Sequence, residues 1–200
     1  SSSHLHPSFI NTINHELGHN FGAHHAALYE CGDKVVDNRC GDSWTYGDIY
    51  DTMGAGIGHF NAVFKDQIGY FNPSNIEEVD QGGIYNIYPI ENFTTHVQVI
   101  KTSASFIISD NFLSKAYYLE YRLPIGFDSS LSNLSGVIVH LDSHHIWGGI
   151  EYYSYNSQLL DFSPHSDDEI YWTIDRGDVV LREGQIFNDF INNVSIKVLD

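Results

Sequence analysis

The sequence predicts an α+β chain: a helical segment over residues 1–75, then an antiparallel β-sandwich over residues 76–200. Three observations predict it. Ile10, Ile13, Leu17 and Phe21 fall on one stripe at about 100° per residue, as on a helix. Phe60, Val63, Phe64 and Ile68 repeat that spacing within residues 59–71. After Pro73 the chain turns to Ile, Val, Tyr, Phe and Thr, cut at short intervals by Asn, Asp, Ser and Gly, as short antiparallel strands are.

The first helix is expected over residues 8–21, with Pro7 and Ser8 at its start and Ser8 as N-cap. Its apolar stripe is expected to face a core, with His15, His19 and Gly22 on nearly the opposite face. Gly22 can take φ > 0 and turn the chain sharply at the helix end. Residues 31–58 read as an irregular Gly- and Asp-rich loop. A loop of that length needs ties, and a disulfide and a metal are the expected ones. Asn72-Pro73 ends the second helix. Strands are expected at 84–88, 96–101, 104–109, 116–122, 136–141, 170–174, 178–181 and 194–199. A boundary is expected near residue 75, and the first part alone would make a thin core.

The chemistry concentrates in His15-Glu16-Leu17-Gly18-His19-Asn20-Phe21-Gly22-Ala23-His24-His25. His15 and His19 are spaced i, i+4, which puts both imidazoles on one helix face. Two such nitrogens can share one Zn²⁺. The turn at Gly22 brings His25 back as a third ligand. Three protein ligands leave a fourth position for water, the mark of a catalytic rather than a structural site. Glu16 cannot ligate the same ion from its place, but it can take a proton from that water. Nitrogen ligands of this kind also suit Co²⁺, Ni²⁺ or Cu²⁺. His24 reads as a packed neighbour of the third ligand.

This stretch resembles the zinc signature of the metzincin metallopeptidases. Asp51-Thr52-Met53-Gly54 is similar to the methionine-containing turn of that clan, and Met53 is the only methionine in the chain. The run from Tyr46 to Gly54, then His59-Phe60-Asn61-Ala62 and Lys65-Asp66-Gln67-Ile68-Gly69-Tyr70, resembles the gametolysin-like branch. The specific part covers roughly residues 8–73; Tyr117–Arg122 and Gly136–Leu141 resemble more loosely the β-rich region that follows. The resemblance implies a secreted zinc endopeptidase acting on a protein or glycoprotein substrate. It implies metal ligands His15, His19 and His25, the general base Glu16, and Met53 packed beneath the histidines. Asp51 is a candidate brace for a ligand. Two features depart from the pattern. Only fourteen residues precede His15, where the family places a sheet and a helix. The upper half of the cleft is therefore expected on a separate N-terminal chain or propeptide of the same protein, on a part removed by processing, or outside this sequence. Ala55 stands where some metzincins carry a tyrosine that stabilises the transition state.

Two hundred residues fit one domain or two small ones, and 42% hydrophobic residues suffice for a core. A net charge of −17 disfavours nucleic-acid binding through phosphates. It suits solubility first, and otherwise basic substrates or Ca²⁺. No apolar run is long enough for a spanning helix. The chain begins Ser1-Ser2-Ser3, as a processed product would. Cys31 and Cys40 read first as a loop disulfide, with two free thiols or a metal-ligand pair as alternatives. His140, Asp142, His144 and His145 could hold a second metal, or simply end a strand. The carboxylates between Asp161 and Asp178 could hold calcium, but they read first as a solvated surface. Trp147, Tyr152, Tyr153 and Tyr155 could form a sugar platform, or pack as core. The rival to the peptidase is a non-catalytic sandwich that binds glycans or surface proteins and carries a vestigial or structural zinc site.

Overall fold

Val137, Val139 and Leu141 pack on one side of a strand buried along 136–141, while Ile138 and His140 face the other. A strand buried on both faces is a central one, and this strand organises the molecule. In the computed structural model the described residues are 7–29, 31–38, 40, 45–109, 112–131, 134–142, 144–147, 150–152, 157–164 and 179–199. They form a mixed α/β protein dominated by strands.

Helix α1 spans Pro7–Asn20 and strand β1 Ala26–Tyr29. Helix α2 spans Ala62–Gln67, followed by β2 at Ile76–Val79. The long strands β3, Val99–Ser109, and β4, Phe112–Arg122, make a hairpin. Then come β5, Gly136–Asp142, β6, His144–Trp147, β7, Ile150–Tyr152, and β8, Ser157–Leu160. The last two are β9, Ile186–Asp189, and β10, Val194–Lys197. The main sheet runs β1-β8-β5-β4-β3-β2, with β6 and β7 extending from β4. Its interior pairs are antiparallel, but the edge pairs β1/β8 and β2/β3 are parallel. β9 and β10 form a separate two-stranded sheet.

The central sheet is covered on both faces. On one side Tyr29, Tyr117, Leu119, Val139 and Leu141 pack with Phe187 of β9 and with the Cys31–Cys40 loop. On the other, Leu28, Ile138 and Leu159 pack with Tyr50, while Val99, Ala116 and Tyr118 pack with Ala62 and Val63 of α2. The sheet also crosses the expected boundary near residue 75. Ala26 to Tyr29 pair with Ser157 to Leu160, and Asn61 Nδ2 donates to Ser157 Oγ at 2.8 Å.

A buried polar network fixes the loop of residues 45–61 on the sheet. Arg122, fully buried, donates through Nη1 to Glu120 Oε1 (3.0 Å), through Nε to Asp128 Oδ2 (2.9 Å) and through Nη2 to the Tyr50 carbonyl (3.0 Å). Glu120 also accepts the N–H of Ala62, at the start of α2. His140 Nε2 lies 2.8 Å from Asp48 Oδ2. Burial opposes charge on His140, but Asp48 outweighs it and raises the imidazole pKa. Buried charges are sustained only when paired in this way.

Of the expected strands, 104–109, 116–122, 136–141 and 194–199 lie on β3, β4, β5 and β10. Residues 99–101 of the expected segment 96–101 and the segment 104–109 are parts of one strand, β3, with a register shift between Ser103 and Phe106. The segment 84–88 makes no ladder, although Tyr88 N–H donates to the Val97 carbonyl at 2.8 Å. Residues 170–174 and 178 lie outside the described residues, and among 179–181 Leu181 makes a bridge, to Val137. The second helix is shorter than the expected 59–71. Asn61 caps it by accepting the Phe64 N–H, and Gly69, at φ +72°, turns the chain away. Among the described residues no helix is long and apolar enough to cross a membrane.

Candidate metal centre

One expectation about α1 is overturned. Ile10, Ile13, Leu17 and Phe21 are 45, 39, 47 and 66% exposed, so the apolar stripe does not face the core. The inner side is the one that carries buried Gly18 and half-buried His15, while His19 stays exposed, and Gly18 explains why. It is buried between His15 and His19, and a Cβ there would lie 2.3 Å from Met53 Sδ and 3.1 Å from the Phe60 ring. The missing side chain lets the helix settle directly on the methionine turn. Met53 is fully buried, clustered with Ala23, Ala26, Phe64 and Phe60. It lies under the helix at the level of the two histidines.

The helix ends as the glycine requires. Gly22 has φ +91°, and its carbonyl accepts from Gln67 Nε2 at 2.8 Å. The chain then passes His24 and His25 and enters β1. Ala26 N–H donates to the Met53 carbonyl (3.0 Å), and Asp48 N–H donates to the Ala26 carbonyl (3.2 Å). The third histidine is thereby fixed between the helix, the methionine turn and the main sheet.

His15, His19 and His25 converge. Each offers one ligand atom, and these lie within 4.8 Å of one another. The ring centroids are 4.8 Å apart for His15–His19, 5.0 Å for His19–His25 and 5.4 Å for His15–His25. His15 Nδ1 is 2.8 Å from the Thr52 carbonyl, and His19 Nδ1 is 2.8 Å from the Ala23 carbonyl. A carbonyl only accepts, so both Nδ1 atoms carry the proton. In the neutral imidazole that tautomer puts the lone pair on Nε2, the arrangement a metal ligand needs. Burial, then the neighbouring His19, His15 and His24, pushes His25 below the ordinary imidazole value, while Glu16 opposes the shift. Burial and His19 lower His24 as well. The donor set therefore fits a divalent ion with a preference for neutral nitrogen. Among the described residues it is the one group of this kind.

Glu16 is exposed, on the helix beside His15. Asp51 does not touch a histidine. Its carboxylate accepts the N–H groups of Met53 and Asn61, so it shapes the methionine turn. Burial first, and then the charge of Asp48, push its pKa up to about 8, against the pull of those two N–H groups. The brace on His15 is the Thr52 carbonyl, and Thr52 Oγ1 is itself tied to the Gly58 carbonyl at 2.7 Å. Tyr46 also joins the site: its hydroxyl is 3.0 Å from His25 Nε2.

The other sequence candidates do not gather into a site among the described residues. His140 is engaged with Asp48, and His144 Nε2 lies 3.2 Å from Asp142 Oδ2, whose partner oxygen accepts from Ser114 and Ala116. The side chains of His145, Trp147 and Tyr152 lie outside the described residues, as do Tyr153, Tyr155 and most of the acidic stretch from Asp161 to Asp178. Cys31 and Cys40 form the disulfide, with Cα atoms 4.9 Å apart, inside the normal range. No protein-family model matches the chain, and comparison with curated proteins and with solved structures returned no match.

Proposed function

We propose that this protein is a zinc-dependent endopeptidase of metzincin type, of the gametolysin-like branch, acting on extracellular proteins. The observation that carries the reading is the convergence of His15, His19 and His25 with both helical Nδ1 atoms committed to carbonyls. A zinc ion held there would polarise the scissile carbonyl and acidify a water. Glu16 takes a proton from the water as its oxygen bonds to the carbonyl carbon, and returns it to the amine as the C–N bond breaks. His15 and His19 are held by the Thr52 and Ala23 carbonyls, so their orientation is set before substrate arrives. Met53 gives the helix a dry, shaped base and takes no part in proton transfer.

Glu16→Gln tests the assignment. Zinc content, read by elemental analysis, is expected to stay at one per chain, while casein hydrolysis falls by roughly 10²-fold or more. Wild-type turnover in that variant would sink the role given to Glu16. Absence of stoichiometric zinc in the wild-type protein would sink the site.

The exposed stripe of α1 supports a second part of the proposal: another polypeptide segment of the same protein packs over Ile10, Ile13, Leu17 and Phe21. Native mass spectrometry of material from the source organism is expected to show that segment travelling with this chain. A lone, fully active 200-residue species would refute it.

A further inference from the structure

Tyr46 is the residue at the centre whose place the motif does not explain. Its hydroxyl lies 3.0 Å from His25 Nε2, and its ring centroid lies 4.2 Å from that of His25 and 5.9 Å from that of His15. Tyr46 is 43% exposed. Two residues on, Asp48 is buried and anchored to the Ala26 carbonyl, immediately after His25. The phenol is thus held near the ligands by its backbone, with its hydroxyl against His25 Nε2.

His25 Nε2, the atom 3.0 Å from the Tyr46 hydroxyl, is also what a bound ion would take from His25. Once it is taken, the phenol has lost its histidine partner and stays beside the ligands. A phenol is a neutral O–H donor. The group delivered to that side during hydrolysis is a carbonyl oxygen that gains negative charge as water attacks. Donors aimed at such an oxygen are among the most effective catalytic groups. Glu16, the carboxylate of the motif, cannot serve, because it must accept a proton at the same moment.

We propose that Tyr46 donates a hydrogen bond to the oxygen that becomes charged when the scissile carbonyl is attacked, a role that rests on the peptidase reading above. In that step the water oxygen bonds to carbon, the carbonyl π pair moves onto oxygen, the water proton goes to Glu16, and Tyr46 keeps its own proton.

Tyr46→Phe in the full chain tests it by three readouts: zinc affinity by chelator competition, kcat and KM on a peptide, and the affinity of an alanine-based phosphinic pseudopeptide. The phosphinate oxygen mimics the charged oxygen without turnover. The expected result is unchanged zinc affinity, kcat lower by roughly 10²-fold with KM little altered, and phosphinate affinity lower by a similar factor. Wild-type kcat and phosphinate affinity in the variant would overturn the proposal. So would a parallel loss of zinc affinity, which would make Tyr46 a prop for His25. If zinc-loaded wild-type protein cleaves no peptide, the peptidase reading fails by itself. The phosphinate comparison then still decides Tyr46: weaker binding by the variant supports the donor and equal binding removes it.

Discussion

His59 donates its backbone N–H to Asp128 Oδ1 at 2.8 Å and sets its ring edge-on to Phe127 at 5.3 Å. Burial above all, then the positive charges of Lys65 and Arg122, push its pKa down to about 4; Asp128 only partly offsets them. The unfolded chain takes a proton near pH 6.5, where the folded chain does not. Stability is therefore complete above about 6.5 and declines as pH falls toward 4. The loss is expected to be about 1–2 kcal/mol after allowing for partial exposure. Urea midpoints between pH 7 and 4.5 check this, with His59→Gln flattening the acid side of the profile. An equal acid slope in the variant would clear His59 of that role. Residues also differ in how visible they are from sequence. His15, Glu16 and His19 sit within one helical turn, so spacing alone places them on one face. Thr52 and Tyr46 come from 37 and 21 residues beyond their partners, and a backbone carbonyl such as that of Thr52 carries no residue-type signal. Gly18 did carry one: a glycine inside a helix costs about 1 kcal/mol relative to alanine and so asks for a packing reason.

At the scale of elements, α1 is seated by its glycine rather than by its apolar stripe. Gly18→Ala would force a methyl group into Met53 Sδ and the Phe60 ring. The gain in helix propensity is smaller than the cost of overpacking, about 1–3 kcal/mol. The variant is expected to melt lower and to bind zinc more weakly, because lifting the helix separates His15 and His19 from His25. Calorimetry and chelator competition read the two effects. A more stable variant with wild-type zinc affinity would show that α1 is not seated there. The same contact explains why hydrophobic periodicity found the helix but assigned its faces wrongly: a glycine scores as nothing in an apolar stripe. Periodicity served better for β4 and β5, whose buried faces alternate over many residues. It missed β1, because Ala26-Ala27-Leu28-Tyr29 is short and alanine-rich and becomes a strand only through parallel pairing with β8. Short β2, β8 and β9 were lost for the same reason: their partners, not their own patterns, make them strands.

Across the whole molecule, the contrast is between a sheet buried on both faces and a helix laid on its margin. The sheet is held by continuous ladders and by the Arg122 network. Among the described residues the ties of α1 include the Gly18–Met53 contact, Asn11 Nδ2 to the Gly56 carbonyl at 2.7 Å, His15 to Thr52, and Gln67 to the Gly22 carbonyl just past its end. A zinc ion would add a link between two α1 histidines and His25 at the mouth of β1, joining the weaker element to the stronger. Ligand binding raises the free energy of every opening that destroys the site, by RT ln(1 + [L]/Kd), and leaves other openings unchanged. Openings of α1 destroy the site, whereas local openings of β3 or β4 do not. Hydrogen exchange with and without zinc is therefore expected to show protection rising by roughly 10²-fold at zinc 100 times Kd in α1, residues 22–28 and the methionine turn. Amides at the middle of β4 should change little, unless they exchange only by global unfolding. Equal gains throughout the chain would mean that α1 and the sheet open together, and that the helix is no margin at all.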